Sequence, residues 1–418
     1  MPLKFVFVSN YLNHHQIPFC RARYERTGGS FAFLQTEPME EERIRMGWND
    51  EVKEPYLKLY YESPKECADE ILNADVVLFG GTDEESYVQE RLKSGKVLFR
   101  YSERLYKTGQ WKAVSPRGLR KKYLDHGRYR KSPVYLLCAG AYVPSDFSII
   151  RAYPGKMFCW GYFPEFRRED VNELMSNKGF LTEDGRRLPY ILWSGRMIDW
   201  KHPELVLKTA KHLKDQGLAF HLDVIGGGAM EAEIKEMAAG LGLGDEVSFP
   251  GFMKPGEVRE RMERANVYLI TSDRQEGWGA VANEAMNSGC AVIADHMIGA
   301  TPYLIRQGMN GLMFRDGDQK MLFEMAEDLI RNPEKCESLG RNAYETIRST
   351  WNAENAAERL CGLIEELTGI AVDEGEMREQ RLRDEKTAKT REAKGFAPCM
   401  PAKVIPERGA FRRLTEGR

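Results

Sequence analysis

No stretch of this 418-residue chain approaches the run of about 18 apolar residues that a membrane-spanning helix requires. None of its eight cysteines, at positions 20, 67, 138, 159, 290, 336, 361 and 399, forms a Cys-x-x-Cys pair with another. This speaks against a zinc ribbon or a disulfide scaffold and favours reduced thiols in a core. Charge of one sign is also missing. A formal net charge of −2 argues against general nucleic-acid binding, which normally shows as a strongly basic domain. No short internal repeat is present. The apolar start Leu3–Val8 is too short for a signal peptide and lacks a small-residue cleavage site behind it, so it reads as a first buried strand. The expected location is the cytoplasm, or the inner face of a membrane.

What remains is a globular composition, 42% hydrophobic and 30% charged, in a chain too long for a single core, since cores stop growing near roughly 250–300 residues. Short apolar runs alternate with longer periodic segments, the rhythm of βα units on a largely parallel sheet. Strands are expected at 4–8, 31–34, 75–79, 96–99 and 134–138, and in a second series at 190–193, 221–225, 246–249, 267–270 and 291–294. The polar, glycine-containing run 177–187 reads as the linker between them. The expected division is therefore an N-terminal domain 1–186, a second domain 187–350, and a terminal segment 351–418 with a helix and a charged tail. One or two terminal helices are expected over 339–367, and 371–395 reads as solvated. Arg117, Arg120, Lys121, Lys122, Arg128, Arg130 and Lys131 form a basic patch interleaved with Leu119, Tyr123, Leu124 and Tyr129. It suits anionic lipid, an anionic acceptor or plain solvation.

Four polar loops follow strands of the second series. They hold Ser194-Gly195-Arg196, Lys201, Gly226-Gly227-Gly228 and the run from Glu276 to Glu284. In an open parallel sheet ligands bind beyond the carboxyl ends of the strands, so these loops should converge on one crevice. Arg196 and Lys201 suit the oxygens of a diphosphate. Gly277 and Gly279 allow close backbone approach, and a helix starting near Ala280 would aim its amides at the same point. Glu276 can bind sugar hydroxyls and Glu284 those of a ribose; alternatively both are ordinary acids at a helix start. Gly226 and Gly227 are candidates for nucleotide binding, although the triple glycine is not a Gly-x-Gly-x-x-Gly dinucleotide fingerprint. In the first loop, His14 and His15 are candidates for acceptor contact, with loop or capping roles as the alternative, and no third ligand at metal-site spacing accompanies them.

The run Glu276 to Glu284 resembles the Glu-x7-Glu motif of retaining GT-B glycosyltransferases of the family 4 type (glycosyl transferases group 1). Ser194-Gly195-Arg196 with Lys201, Val224-Ile225-Gly226-Gly227-Gly228, Phe249-Pro250-Gly251-Phe252 and Ala291-Val292-Ile293-Ala294 are similar to that family as well. The resemblance covers 190–311 well and the rest only in rhythm. It implies two Rossmann-like domains facing across a cleft, with a C-terminal helix crossing back to the first. It also implies a sugar moved with retention from a nucleoside-diphosphate donor, UDP being the expected nucleotide, to a glycan or lipid-linked acceptor, with no cofactor and no metal. On this basis Glu276 would contact the donor sugar, Glu284 the ribose and Arg196 with Lys201 the diphosphate. The backbone at Phe252 would meet the base, and Gly277, Trp278 and Gly279 would supply amides. Two departures stand out. The loop after the first strand lacks the glycine pair of many relatives, and Phe79-Gly80-Gly81-Thr82-Asp83 stands where many carry a histidine. Other readings of the same fold are a sugar-nucleotide epimerase or phosphorylase, or a catalytically silent scaffold.

Overall fold

A computed structural model describes residues 3–41, 44, 53–109, 113, 115–373, 375 and 377–380. Cys399 and positions 381–395 of the expected solvated segment lie outside the described residues. The chain divides into two units, one formed by Met1–Glu165 with the chain from Asn352 onward, the other by Phe166–Trp351.

The first unit is built on a seven-stranded sheet of order β3-β2-β1-β4-β5-β6-β7, all its pairs parallel. The strands are β1 Phe5–Ser9, β2 Phe31–Gln35, β3 Leu57–Leu59, β4 Val76–Phe79, β5 Leu98–Ser102, β6 Val134–Ala139 and β7 Met157–Trp160. Every residue of β1 and β4 is buried, as expected where helices cover both faces of a parallel sheet and the strands read as continuous apolar runs. The helix Ala353–Thr368 lies far from the helix Ile17–Arg26 in the sequence yet packs on it. Arg23 between them is fully buried, its guanidinium 4.5 Å from the Phe5 ring centroid, with Nη1 donating to Cys361 Sγ at 2.6 Å.

The second unit holds a six-stranded parallel sheet of order β12-β11-β10-β13-β14-β15. Its strands are β10 Tyr190–Ser194, β11 His221–Ile225, β12 Val247–Gly251, β13 Val267–Ile270, β14 Ala291–Asp295 and β15 Leu312–Phe314, preceded by a small antiparallel pair, β8 Phe180–Leu181 and β9 Arg187–Leu188. In both sheets the strand order reverses beside the first strand, at β1/β4 and at β10/β13. Loops leaving those strand pairs diverge to opposite faces, which opens a crevice at their carboxyl ends. Helices Pro203–Asp215, Pro255–Arg264 and Pro333–Ser349 each begin with proline, whose fixed φ and missing N–H suit the first helical position.

The run 177–187 is part of the second unit. Lys178 is buried, its ammonium donating to the carbonyls of Met262 at 3.1 Å and Ser288 at 2.5 Å. Phe180 stacks on His221 with ring centroids 3.5 Å apart. The chain passes between units ahead of that run, at Glu165/Phe166, because Phe166 and Val171 pack with Leu174, Met175 and Tyr344 in a small cluster of the second unit. A polar sequence looked like a linker because a lysine satisfied by backbone carbonyls is indistinguishable, in sequence, from a solvated one. Strands β3, β7 and β15 were also not anticipated. The terminal helical stretch resolves into Pro333–Ser349, in the second unit, and Ala353–Thr368, in the first.

Candidate functional site

In the second unit the loops after β10, β11 and β12 are tied together by their own backbones. Gly195 N–H donates to Ile225 O at 3.0 Å, Met197 N–H to Gly227 O at 2.8 Å and Gly226 N–H to Gly251 O at 2.8 Å. Gly226 and Gly228 make this possible. Both have positive φ, and a Cβ on Gly226 would strike the carbonyl of Gly195, while one on Gly228 would lie 2.5 Å from Met197 O. Only glycine lets the two loops approach so closely. A Cβ on Gly227 would meet only the flexible tip of Glu231.

The loop after β13 grips the turn after β10 from the other side. Thr271 Oγ1 donates to Lys201 O at 2.7 Å and receives the Trp193 indole N–H at 3.0 Å, and Asp273 N–H donates to Trp200 O at 2.9 Å. This clamp spans the strand-order reversal at β10/β13 and delivers Lys201 to Glu276, whose side chains form an ion pair. Both are mostly shielded, at 16% and 14% side-chain exposure, so solvent screens the pair less than at an open surface. The Trp200 ring lies beside both cations, 4.8 Å from Lys201 Nζ and 5.9 Å from Arg196 Cζ. Arg196 itself is exposed.

Glu284 lies in the first turn of the helix Val281–Asn287, whose N-cap, Ala280, offers no side-chain acceptor to the leading amides. Of these, Ala282 N–H donates instead to Gly279 O at 2.9 Å, closing the turn into the helix. Burial raises the Glu284 carboxyl above its ordinary range, against the opposing pull of Arg259 and Arg167. Arg259 is buried and donates to Asn287 Oδ1, which also accepts from the Arg167 backbone N–H at 2.8 Å. Gly279 has φ +88°, and a Cβ there would lie 2.8 Å from Ile298. Trp278 is different from its neighbours: its side chain is fully buried, its indole N–H bonds Asn283 Oδ1 at 2.9 Å, and its ring packs near Trp351 and Tyr303. It is a core anchor for the loop. Phe252, just past β12, is 60% exposed.

Several residues of this crevice escaped the sequence reading. Trp200 stood between Arg196 and Lys201 in the sequence, and an aromatic ring between two cations was the signal. His202, at φ +49°, hydrogen-bonds Glu204 at 2.9 Å and lies 3.8 Å from Asp273 Oδ2, an ion-pair distance rather than a hydrogen bond. Asp273 and then Glu204 push the imidazole up to about 10. Nothing in the sequence signalled the buried Arg259.

In the first unit His14 and His15 follow β1 with ring centroids 3.9 Å apart, and the His15 ring stacks near Tyr162. Burial pulls His14 down to about 4. Tyr162 donates to Glu103 at 2.7 Å. The unusual Gly80-Gly81 at the end of β4 has a steric cause: a Cβ on Gly80 would strike Tyr101, and one on Gly81, at φ +81°, would strike Ser9 Oγ. A larger residue has no room there. Among the described residues no cluster of three His, Cys, Asp or Glu is placed to hold a metal ion, and no helix is long and apolar enough to cross a membrane.

Residues 183–346 match the family model Glycosyl transferases group 1, a segment that contains every second-unit residue named above as a candidate ligand contact. Spore coat protein SA of Bacillus subtilis is 25% identical over 215 residues, 49% of this chain and 55% of that protein. Amylovoran biosynthesis glycosyltransferase AmsK of Erwinia amylovora is 26% identical over 182 residues, 42% of this chain and 44% of that protein. The chain thus matches about half the length of these curated relatives. The crystal structure of Anabaena Alr3699/HepE in complex with UDP superimposes with a TM-score of 0.62 at 13% identity, covering 87% of this chain and all of that one. That likeness establishes the GT-B fold.

Proposed function

We propose, for a chain whose residues 183–346 carry a glycosyl transferases group 1 match, that the protein moves a sugar from a nucleoside-diphosphate donor to an acceptor with retention at the anomeric carbon. The observation that carries the reading is the Lys201–Glu276 pair at the carboxyl ends of β10 and β13, with Arg196 alongside. A carboxylate for sugar hydroxyls and two cations for a diphosphate meet there, where open α/β sheets take their ligands.

In this reading Arg196, Lys201 and the leading amides of Val281–Asn287 hold the diphosphate, with Gly277 and Gly279 allowing its approach. Glu276 holds the donor sugar, Glu284 the ribose, and the backbone at Phe252 the base. UDP is the proposed nucleotide, supported by its presence in the HepE complex. The bond between the anomeric carbon and the diphosphate oxygen breaks, the acceptor hydroxyl oxygen bonds to that carbon on the same face, and its proton passes to the departing diphosphate. Fixed positive charge at Arg196 and Lys201 stabilises the charge that develops on the leaving group. The acceptor is proposed to be a glycan or lipid-linked sugar, and His14 and His15 its contacts.

Thermal-shift measurements with UDP, GDP and ADP and their sugars test this. A bound donor raises the midpoint by mass action, by about 2.7 kcal/mol in stability at a hundredfold excess over Kd. Glu276→Ala and Arg196→Ala should abolish most of the shift. No shift with any nucleotide sugar, or the same shift in both variants, would overturn the assignment.

A further inference from the structure

One helix of the first unit is built inside out. Pro116–Asp125 buries none of its residues. Leu119, Tyr123 and Leu124 are 40%, 55% and 41% exposed, all among the few exposed large apolar side chains of the described chain. They are not scattered. On a helix, residues 119 and 123 share one stripe with 116 and 120, and 117 and 124 lie directly beside it, so the three apolar side chains and the exposed Arg117 and Arg120 occupy one continuous outward face. The inward face carries the less exposed Gly118, Lys122 and Asp125, where burial lowers the Lys122 ammonium and Asp125 pairs with Lys121 at 3.0 Å. A surface helix ordinarily turns its apolar stripe to the core; this one turns it to solvent.

The sequence that follows continues the charge. Exposed Arg128, Arg130 and Lys131 come next, and among the described residues no ion pair engages Arg117, Arg120, Arg128 or Lys131. Tyr129 is buried and takes no part. The helix is fixed in place by Ser115, which accepts from Gly118 N–H at 3.4 Å, and by Pro116 at its first position. The Tyr123 ring lies against Gly127, with 3.0 Å from its Cδ2 to where a Cβ would stand.

We infer that the outward face of Pro116–Asp125, with Arg128, Arg130 and Lys131, is a docking surface for an anionic phospholipid bilayer. Leucine and tyrosine side chains ringed by arginine and lysine are what an interfacial helix needs: the apolar groups enter the boundary between headgroups and acyl chains while the cations meet lipid phosphates. Charge alone would fit any polyanion, but three apolar side chains turned outward among the cations fit only a surface that can accept them. The inference concerns the first unit and does not depend on the donor reading.

The test is co-sedimentation of the full chain with phosphatidylcholine vesicles, with and without phosphatidylglycerol, at low and high salt, and in parallel with soluble dextran sulfate. The protein should bind the anionic vesicles, release them at high salt and ignore the neutral ones. Arg117→Glu/Arg120→Glu should weaken binding roughly 25-fold or more, at about fivefold per cation. Leu119→Ser/Tyr123→Ser/Leu124→Ser keeps the charge and should lose roughly tenfold or more on vesicles while binding dextran sulfate as before. Since every substituted side chain is exposed, both variants should keep the wild-type thermal midpoint and nucleotide-dependent shift. Failure to bind anionic vesicles at low salt would overturn the inference. So would a triple serine variant that binds vesicles as well as wild type, which would leave charge alone as the determinant, as for any polyanion.

Discussion

Lys201 reaches Glu276 because the loops after β10 and β13 are bonded to each other through Thr271 and Asp273. The ammonium and carboxylate are thus paired before any ligand arrives. A diphosphate would compete for Lys201 and free Glu276 to accept from sugar hydroxyls. Glu276→Gln and Lys201→Ala should each leave the fold intact and lower turnover by roughly 10²–10³, the usual cost of deleting one group that stabilises developing charge. Release of nucleoside diphosphate is the assay, and activity within tenfold of wild type would exclude the assigned roles.

Gly226 and Gly228 should not tolerate a methyl group. Gly226→Ala places a carbon against the Gly195 carbonyl in a left-handed conformation, and a loss on the order of 3 kcal/mol is expected. Gly227→Ala meets only the movable Glu231 side chain and should cost far less. Thermal midpoints of the two variants, measured without ligand, separate a glycine needed for loop packing from one available to a ligand.

Trp278 is expected to behave as a core residue. Trp278→Ala should lose roughly 3–5 kcal/mol through the cavity left beside Trp351 and Tyr303, and Trp278→Phe much less. Denaturant unfolding gives the stabilities. A Trp278→Ala protein of unchanged stability and reduced donor affinity would reverse this reading.

Two histidines should titrate in opposite directions. The folded value of His202 lies above the ordinary 6.5, near 10, so its contribution is fully present below about pH 6.5 and fades as pH rises through about 10. His202→Gln should flatten that decline. For His14 the folded value falls to about 4, so the unfolded chain takes up the proton first and stability falls as pH drops from about 6.5 through 4. Imidazole resonances followed by NMR provide the check: a His14 signal that titrates near 6.5 would contradict its burial.

The reach of the sequence differs between the two units. Strands with continuous apolar runs, such as β10 and β13, were legible because a parallel sheet buried on both faces leaves no other composition. Polar loops behind them were equally legible, since the carboxyl ends of such strands are where ligand groups can stand without disturbing a core. Strands β3 and β15, of three residues each, fall below the length at which period or composition can speak.

By itself the sequence determined the parallel α/β architecture and the set of donor-side candidates, because hydrophobic runs and strand-end loops are local features. Tertiary structure alone decided which candidates meet. It paired Lys201 with Glu276, assigned Gly226 and Gly228 to loop contact, turned Trp278 into the core and brought the charge of Arg259 to bear on Glu284. It likewise drew 177–187 into the second unit and faced Leu119, Tyr123 and Leu124 outward. Each of these outcomes depends on contacts between distant segments, and whether a tryptophan, a lysine or a leucine is buried or exposed is fixed by what packs against it.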